Sequence, residues 1–272
     1  MSDLKTLLLP VDFSERSLEA ARQAKGIARH FHSRLIVLNV AERDRRTDVQ
    51  FEAGGSSAEE LQSYFNRELR ETPVDYVVEP GDPAQVIDKR ARETAADLIV
   101  MAGHNRGPFE SFVLGSVTAE VLCSAPCPVW VSLHEQKGPA PLFRRVLCSV
   151  GLSDSTGATF DWALRFAGAF EATCDVIHVA ANSDGQQQRR ITEDSLTNSE
   201  RQALAAVKAK LGGYGQVILA AGELGKTIGA ASAKLGADLL VIGRSQTGNE
   251  IARVRSLAFT LAHAAPCPVV VI

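Results

Sequence analysis

The chain has 272 residues, of which 45% are apolar, 6% aromatic and 22% charged, and 29 Lys and Arg against 32 Asp and Glu leave a formal charge of −3. The length suits two domains of ordinary size, and the apolar content excludes a mostly disordered chain. The slightly acidic balance excludes an electrostatic nucleic-acid binder, which needs a basic face, and a polybasic membrane anchor.

The first segment, MSDLKTLLLPVDFSE, has too short an apolar run for a membrane span and no small-residue cleavage site, and no later segment reaches 18 uninterrupted apolar residues. A cytoplasmic protein is expected. KTLLLPV reads as a strand buried on both faces. A helix follows, capped by Ser14, with Leu18, Ala21, Ala24, Ala28 and Phe31 on its inward face. RLIVLNV is the next strand, followed by a helix over Ala58 to Leu69 and a third strand, VDYVV. In GDP, Asp82 is the expected cap and Pro83 the first helical residue. DLIVMA is the fourth strand, SVTAEVLCSA the fourth helix and CPVWVSL the fifth strand.

The same order then recurs, with strands RVLCSV, DVIHVA, QVILA, DLLVIG and CPVVVI. Val11 matches Val150 at an offset of 139, Asp97 matches Asp238 at 141, and APCPVWV from Ala125 matches APCPVVV from Ala265 at 140. Offsets this constant mark a tandem duplication of one domain. The expected domains are residues 1–134 and 142–272, joined by the Gly- and Pro-bearing linker around Pro139. Alternating strands and helices imply right-handed crossovers and a mainly parallel, doubly wound α/β sheet in each copy. Such sheets bind ligands beyond the carboxyl ends of their strands, which selects the loops at Pro10 to Ser14, after Val40, at Gly81 to Pro83 and at Ala102 to Ser116. The fifth strand of each copy is an apolar edge that needs a partner. The two copies are therefore expected to associate through these strands as an intramolecular pseudo-dimer.

Of these loops, Ala102 to Thr118 carries the most chemistry, because Gly115 and Ser116 open a helix whose free N–H groups and dipole favour phosphate. VDFSERS, GDPAQVI, GHNRG and LGSVT followed by APCPV together resemble a universal stress protein, and the resemblance spans the whole chain as two copies. It implies two flavodoxin- or Rossmann-like domains of five strands each. It also implies an adenine-nucleotide site for ATP or ADP, with Mg²⁺ accompanying ATP. Nucleotide-binding members carry G-x-x-G, nine residues, then G-S or G-T. Here the spacing is kept, but Ala102 and Asn105 stand at the first two glycine positions. By resemblance, Val11, Asp12 and Val40 hold the adenosine end, His104 sits beside the phosphate loop, and Gly115, Ser116, Val117 and Thr118 form the phosphate end.

In the second copy Gly151 replaces Asp12, and Arg255-Ser256 aligns with Gly115-Ser116 in a loop one residue shorter. This half is expected to be structural. AAGELGKTIG imitates a phosphate-binding P-loop, but Ala220 occupies the position of its first Gly, and Gly222 aligns with Gly81 of the GDP turn. Cys127 and Cys267 are expected as buried packing residues, and neither the five cysteines nor the histidines have metal-ligand spacing. No nucleophile–base motif is present, so slow ATP hydrolysis is the most that enzyme chemistry could amount to. The competing expectations are an adenine-nucleotide sensor or regulator in stress response and a nucleotide-independent interaction or chaperone-like scaffold. A further homodimer and an unidentified protein partner are open, and neither nucleic acid nor membrane is an expected partner.

Overall fold

The computed structural model describes residues 4–41, 57–103, 115–132, 143–152, 156–180, 191–244 and 265–272. These fall into two compact units, residues 4–132 and 143–272. The expected linker around Pro139 lies outside the described residues.

The first unit runs β1 (Thr6–Val11), α1 (Glu15–Phe31), β2 (Arg34–Ala41), α2 (Ala58–Phe65), β3 (Val74–Pro80), α3 (Pro83–Glu93), β4 (Leu98–Ala102), α4 (Ser116–Ser124) and β5 (Val129–Ser132). Its strands pair in parallel in the order β3-β2-β1-β4-β5. The second unit runs β6 (Arg145–Ser149), α5 (Thr156–Ala169), β7 (Thr173–Ala180), a 3₁₀ turn (Glu193–Ser195), α6 (Asn198–Leu211), β8 (Val217–Ala221), α7 (Leu224–Leu235), β9 (Leu239–Ile242) and β10 (Val269–Val271). It repeats the pattern as β8-β7-β6-β9-β10, again all parallel. Both are α/β sheets in the Rossmann strand order rather than the flavodoxin one.

Burial follows from the apolar runs. Leu7, Leu8 and Leu9 of β1 and Leu35, Val37 and Leu38 of β2 are fully enclosed, because helices cover both faces of the sheet. Pro10 lies inside β1, in register with Leu38, and the strand ends at Val11 as KTLLLPV implies, so the loop beyond it starts at Asp12 rather than at Pro10. Ser14 caps α1 as expected, accepting from the Ser17 N–H. The inward face of that helix is broader than expected. Ala21, Ala24 and Ala28 are buried, but Leu18 and Phe31 are only half-buried, and Ala20, Ile27 and Gln23 complete the face. Gln23 can be there because its Oε1 accepts from the indole N–H of Trp130 at 2.8 Å, which pairs two buried polar groups. Helix α2 ends at Phe65 instead of Leu69. The chain turns there to reach β3, and Leu69 is still buried with its N–H donating to the Phe65 carbonyl at 2.9 Å. Asp82 and Pro83 open α3, the Asp82 carboxylate accepting from the Gln85 N–H at 3.2 Å.

The duplication extends to single atoms. Asp97 Oδ2 accepts from the N–H groups of Lys5 and Thr6 at 2.8 and 2.9 Å, and Asp238 Oδ2 accepts from those of Arg144 and Arg145 at the same distances. Each carboxylate thus secures the entry of its first strand. Gly81 and Gly222 both turn the chain after the third strand of their unit, with φ of +151° and +145°, a region that only glycine enters readily. The P-loop imitation is therefore a second copy of the GDP turn.

Candidate functional site

The strand order reverses between β1 and β4, so the switch point lies at their carboxyl ends, and the register shows which residues meet there. Val11 is paired with Asn39 of β2, and β4 pairs with β1 through Leu7↔Leu98 and Leu8↔Ile99. Continued by three residues, that register sets Ala102 beside Val11. Val11, Asp12, Val40 and Ala102 therefore share one edge of the sheet. Helix α4 approaches the same edge. Its carboxyl end leads to Pro128, whose carbonyl accepts from Ile99 N–H at 3.0 Å near the start of β4. Nine helical residues then carry the chain about 13 Å back along the strand. Gly115 caps α4 without a side-chain hydrogen bond, and the first intrahelical bond runs from Ala119 N–H to Gly115 carbonyl. The N–H groups of Ser116, Val117 and Thr118 are thus without an intrahelical acceptor, as anion binding requires. Ser116 is exposed, Gly115 and Val117 are half-buried and Thr118 is buried. His104 and Asn105 lie outside the described residues.

Asp12 is the most elaborated position. Its Oδ1 accepts from Ser14 N–H at 3.1 Å, from the Ser14 hydroxyl, and from the Ser17 hydroxyl at 2.6 Å. Its own N–H donates to Ser17 Oγ at 3.1 Å. Lost hydration pushes the carboxyl up, but the two serine hydroxyls, the Ser14 N–H and the Arg16 charge outweigh it and hold the carboxyl below its ordinary range. The three hydrogen bonds that the carboxylate accepts converge on one oxygen. Among the described residues nothing donates to Oδ2.

Two contributors have no motif to announce them. Asn39 is buried in an otherwise apolar strand, and its Nδ2 donates to Val11 carbonyl at 2.9 Å, tying the ends of β1 and β2 together. The signal was present as an Asn in RLIVLNV, a polar residue that a buried strand must satisfy. Tyr64 of α2 donates its hydroxyl to Phe13 carbonyl at 2.9 Å. No local pattern marks that contact.

The model for the universal stress protein family matches this chain twice, over residues 3–132 and 142–272. The chain belongs to the universal stress protein family. As a tandem member it resembles, over 148 residues at 30% identity, a Staphylococcus epidermidis protein assigned to the same family, the match covering 50% of this chain and 88% of that one. A universal stress protein structure from Archaeoglobus fulgidus shares the fold over 98% of this chain and 95% of its own, with a TM-score of 0.72 and 20% identity. A Pseudomonas aeruginosa structure assigned to the family covers 99% and 93% with a TM-score of 0.70 and 20% identity.

The second universal stress protein domain keeps the scaffold of the site but changes its chemistry. Gly151 is exposed where the first domain has Asp12. His178 stands in the place of Asn39, its Nδ1 3.1 Å from Val150 carbonyl, and its buried Nε2 has no hydrogen-bond partner. Arg255 and Ser256 lie outside the described residues. Lys226 pairs with Glu223 at 2.6 Å at the start of α7, so a carboxylate already stands beside the amine of the P-loop imitation. Cys267 is buried as expected, whereas Cys127, at the matching position in the turn before β5, is only half-buried. Burial pushes the Cys174 thiol up to about 12 and the Cys267 thiol up to about 11, which keeps both in the unreactive thiol form. No helix among the described residues is long and apolar enough to cross a membrane.

Proposed function

We propose that the first domain binds one adenine nucleotide, ATP or ADP, and acts in the cytoplasm as a sensor or regulator. Membership of the universal stress protein family supports a role in the stress response. The observation that carries the nucleotide reading is the half-used carboxylate of Asp12. Oδ1 is fixed by three donors while Oδ2 remains an ionised acceptor at the switch point, suited to an amino or hydroxyl group of the adenosine moiety. Val11 and Val40 line that end. Ala102 and the start of α4, Gly115 to Thr118, provide a phosphate end of backbone N–H groups and two hydroxyls. His104 and Asn105 complete the proposed set. Mg²⁺ would come with the triphosphate, since among the described residues no cluster of His, Cys, Asp or Glu could hold a metal ion by itself.

Intramolecular pairing of the two domains belongs to this reading, and the duplicated architecture and the cost of leaving an apolar edge strand unpaired both favour it. Denaturing the purified protein and identifying any released nucleotide, followed by calorimetric titration with ATP, tests the proposal. Released adenine nucleotide or a saturable heat is expected. No release and no heat at millimolar ATP would sink it. In that event the scaffold reading takes over. It is favoured by the replacement of two loop glycines by Ala102 and Asn105 and by the loss of the Asp12 carboxylate in the second copy.

A further inference from the structure

We propose that Tyr64 is a positioning residue of the first-domain site, its hydroxyl locking the β1–α1 turn so that Asp12 presents one carboxylate oxygen to a ligand. The Tyr64 hydroxyl donates to the Phe13 carbonyl at 2.9 Å, across 51 residues of chain. That carbonyl and the Ser14 N–H belong to the same planar peptide unit, so fixing the oxygen also fixes the direction of the N–H. The Ser14 N–H is one of the three donors on Asp12 Oδ1, at 3.1 Å. Tyr64 therefore reaches the carboxylate through a single rigid plane. The tyrosine is itself held, because α2 is anchored by the buried Leu61 and Phe65 and the Tyr64 and Phe65 rings meet edge to face at 5.1 Å. The Phe13 ring packs edge-on against Tyr64 at 5.2 Å and 76° while remaining 41% exposed, so the turn gains little from its own burial and depends on this contact.

A tie needed only for folding would be wanted in both copies. In the second copy Leu152 stands where Phe13 does, Gly151 where Asp12 does, and α6 contains no aromatic residue to supply the hydroxyl. The tie is present where there is a carboxylate to aim, and its residues are missing where there is none.

The role in binding rests on the adenine-nucleotide reading above, whereas the lock on Asp12 does not. The test compares the full-length protein with its Tyr64→Phe variant, which keeps the ring and removes the hydroxyl. Three quantities are read: the thermal midpoint, the Asp12 carboxyl titration by ¹³C NMR without nucleotide, and ATP affinity by calorimetry. The expected result is an Asp12 midpoint shifted upward towards the ordinary carboxyl range and ATP affinity weakened about fivefold, as for one lost hydrogen bond, with Arg16 acting equally in both proteins. A tyrosine that serves only packing or stability would lower the thermal midpoint and leave Asp12 where it is. An unmoved Asp12 midpoint overturns the proposal, and so does an ATP affinity equal to that of the parent. A parent protein that takes up no ATP sinks the nucleotide reading instead, and the Asp12 midpoint alone then decides the lock.

Discussion

Asp12 shows how one side chain can serve the fold and still be free for function. Its Oδ1 organises the turn, and the serine hydrogen bonds it accepts, together with the Arg16 charge, make the ionised form more favourable in the folded chain. Because its folded pKa lies below the ordinary value of 3.8, the stabilisation is complete above that value and is lost as pH falls through the folded value. Asp12→Asn is accordingly expected to lower the thermal midpoint at pH 6, with the gap to the parent narrowing once the pH drops below 3.8. A gap independent of pH would remove the charge from the account. Asp12→Ala is expected to weaken ATP by on the order of tenfold or more, since hydrogen bonds to charged groups are among the stronger ones. Unchanged affinity would show that the pose is wrong. The carboxylate itself was legible in VDFSERS, but the division of labour between its two oxygens was not, because it depends on where Ser14 and Ser17 place their protons.

At the level of elements, the strands and most helices could be read from apolar runs and caps, since both are local properties of the chain. Reading failed where an element meets its neighbour. Gln23 faces the core only because Trp130, far along the chain on β5, brings an indole N–H to it. Glycine was legible as punctuation in the GDP turn and its copy, whereas the backbone angles that demand it became visible only in the fold. A Cβ added at Gly81 would lie 2.8 Å from Val86 Cγ2, and one at Gly222 would lie 2.7 Å from Thr227 Oγ1. Gly81→Ala and Gly222→Ala are each expected to cost about 1–3 kcal/mol in urea unfolding. The repeated aspartates yield a matched pair of predictions. Asp97→Ala and Asp238→Ala each strip two strand-entry N–H groups of their acceptor, and both should destabilise by about 1–3 kcal/mol. Unequal costs would mean that the two copies do not draw equal support from these matched hydrogen bonds.

For the whole molecule, the expected outcome is asymmetry within a duplication. The chain carries the family pattern twice but keeps the Asp12 carboxylate once, so calorimetric titration should return about one ATP per chain rather than two. A stoichiometry of two would restore the second domain as a binding site despite Gly151. The sequence by itself determined that there are two copies, that each alternates strands and helices into a parallel sheet, and which loops follow the carboxyl ends of its strands. Those conclusions need only local periodicity and self-comparison. The tertiary structure alone decided that Asn39 and His178 tie matching strand ends, that Asp12 keeps one oxygen free, and that the Tyr64 hydroxyl reaches the Phe13 carbonyl in the turn beside it. Such contacts join residues many positions apart through single hydrogen bonds. Their existence depends on sub-ångström placement that no spacing in a linear chain records.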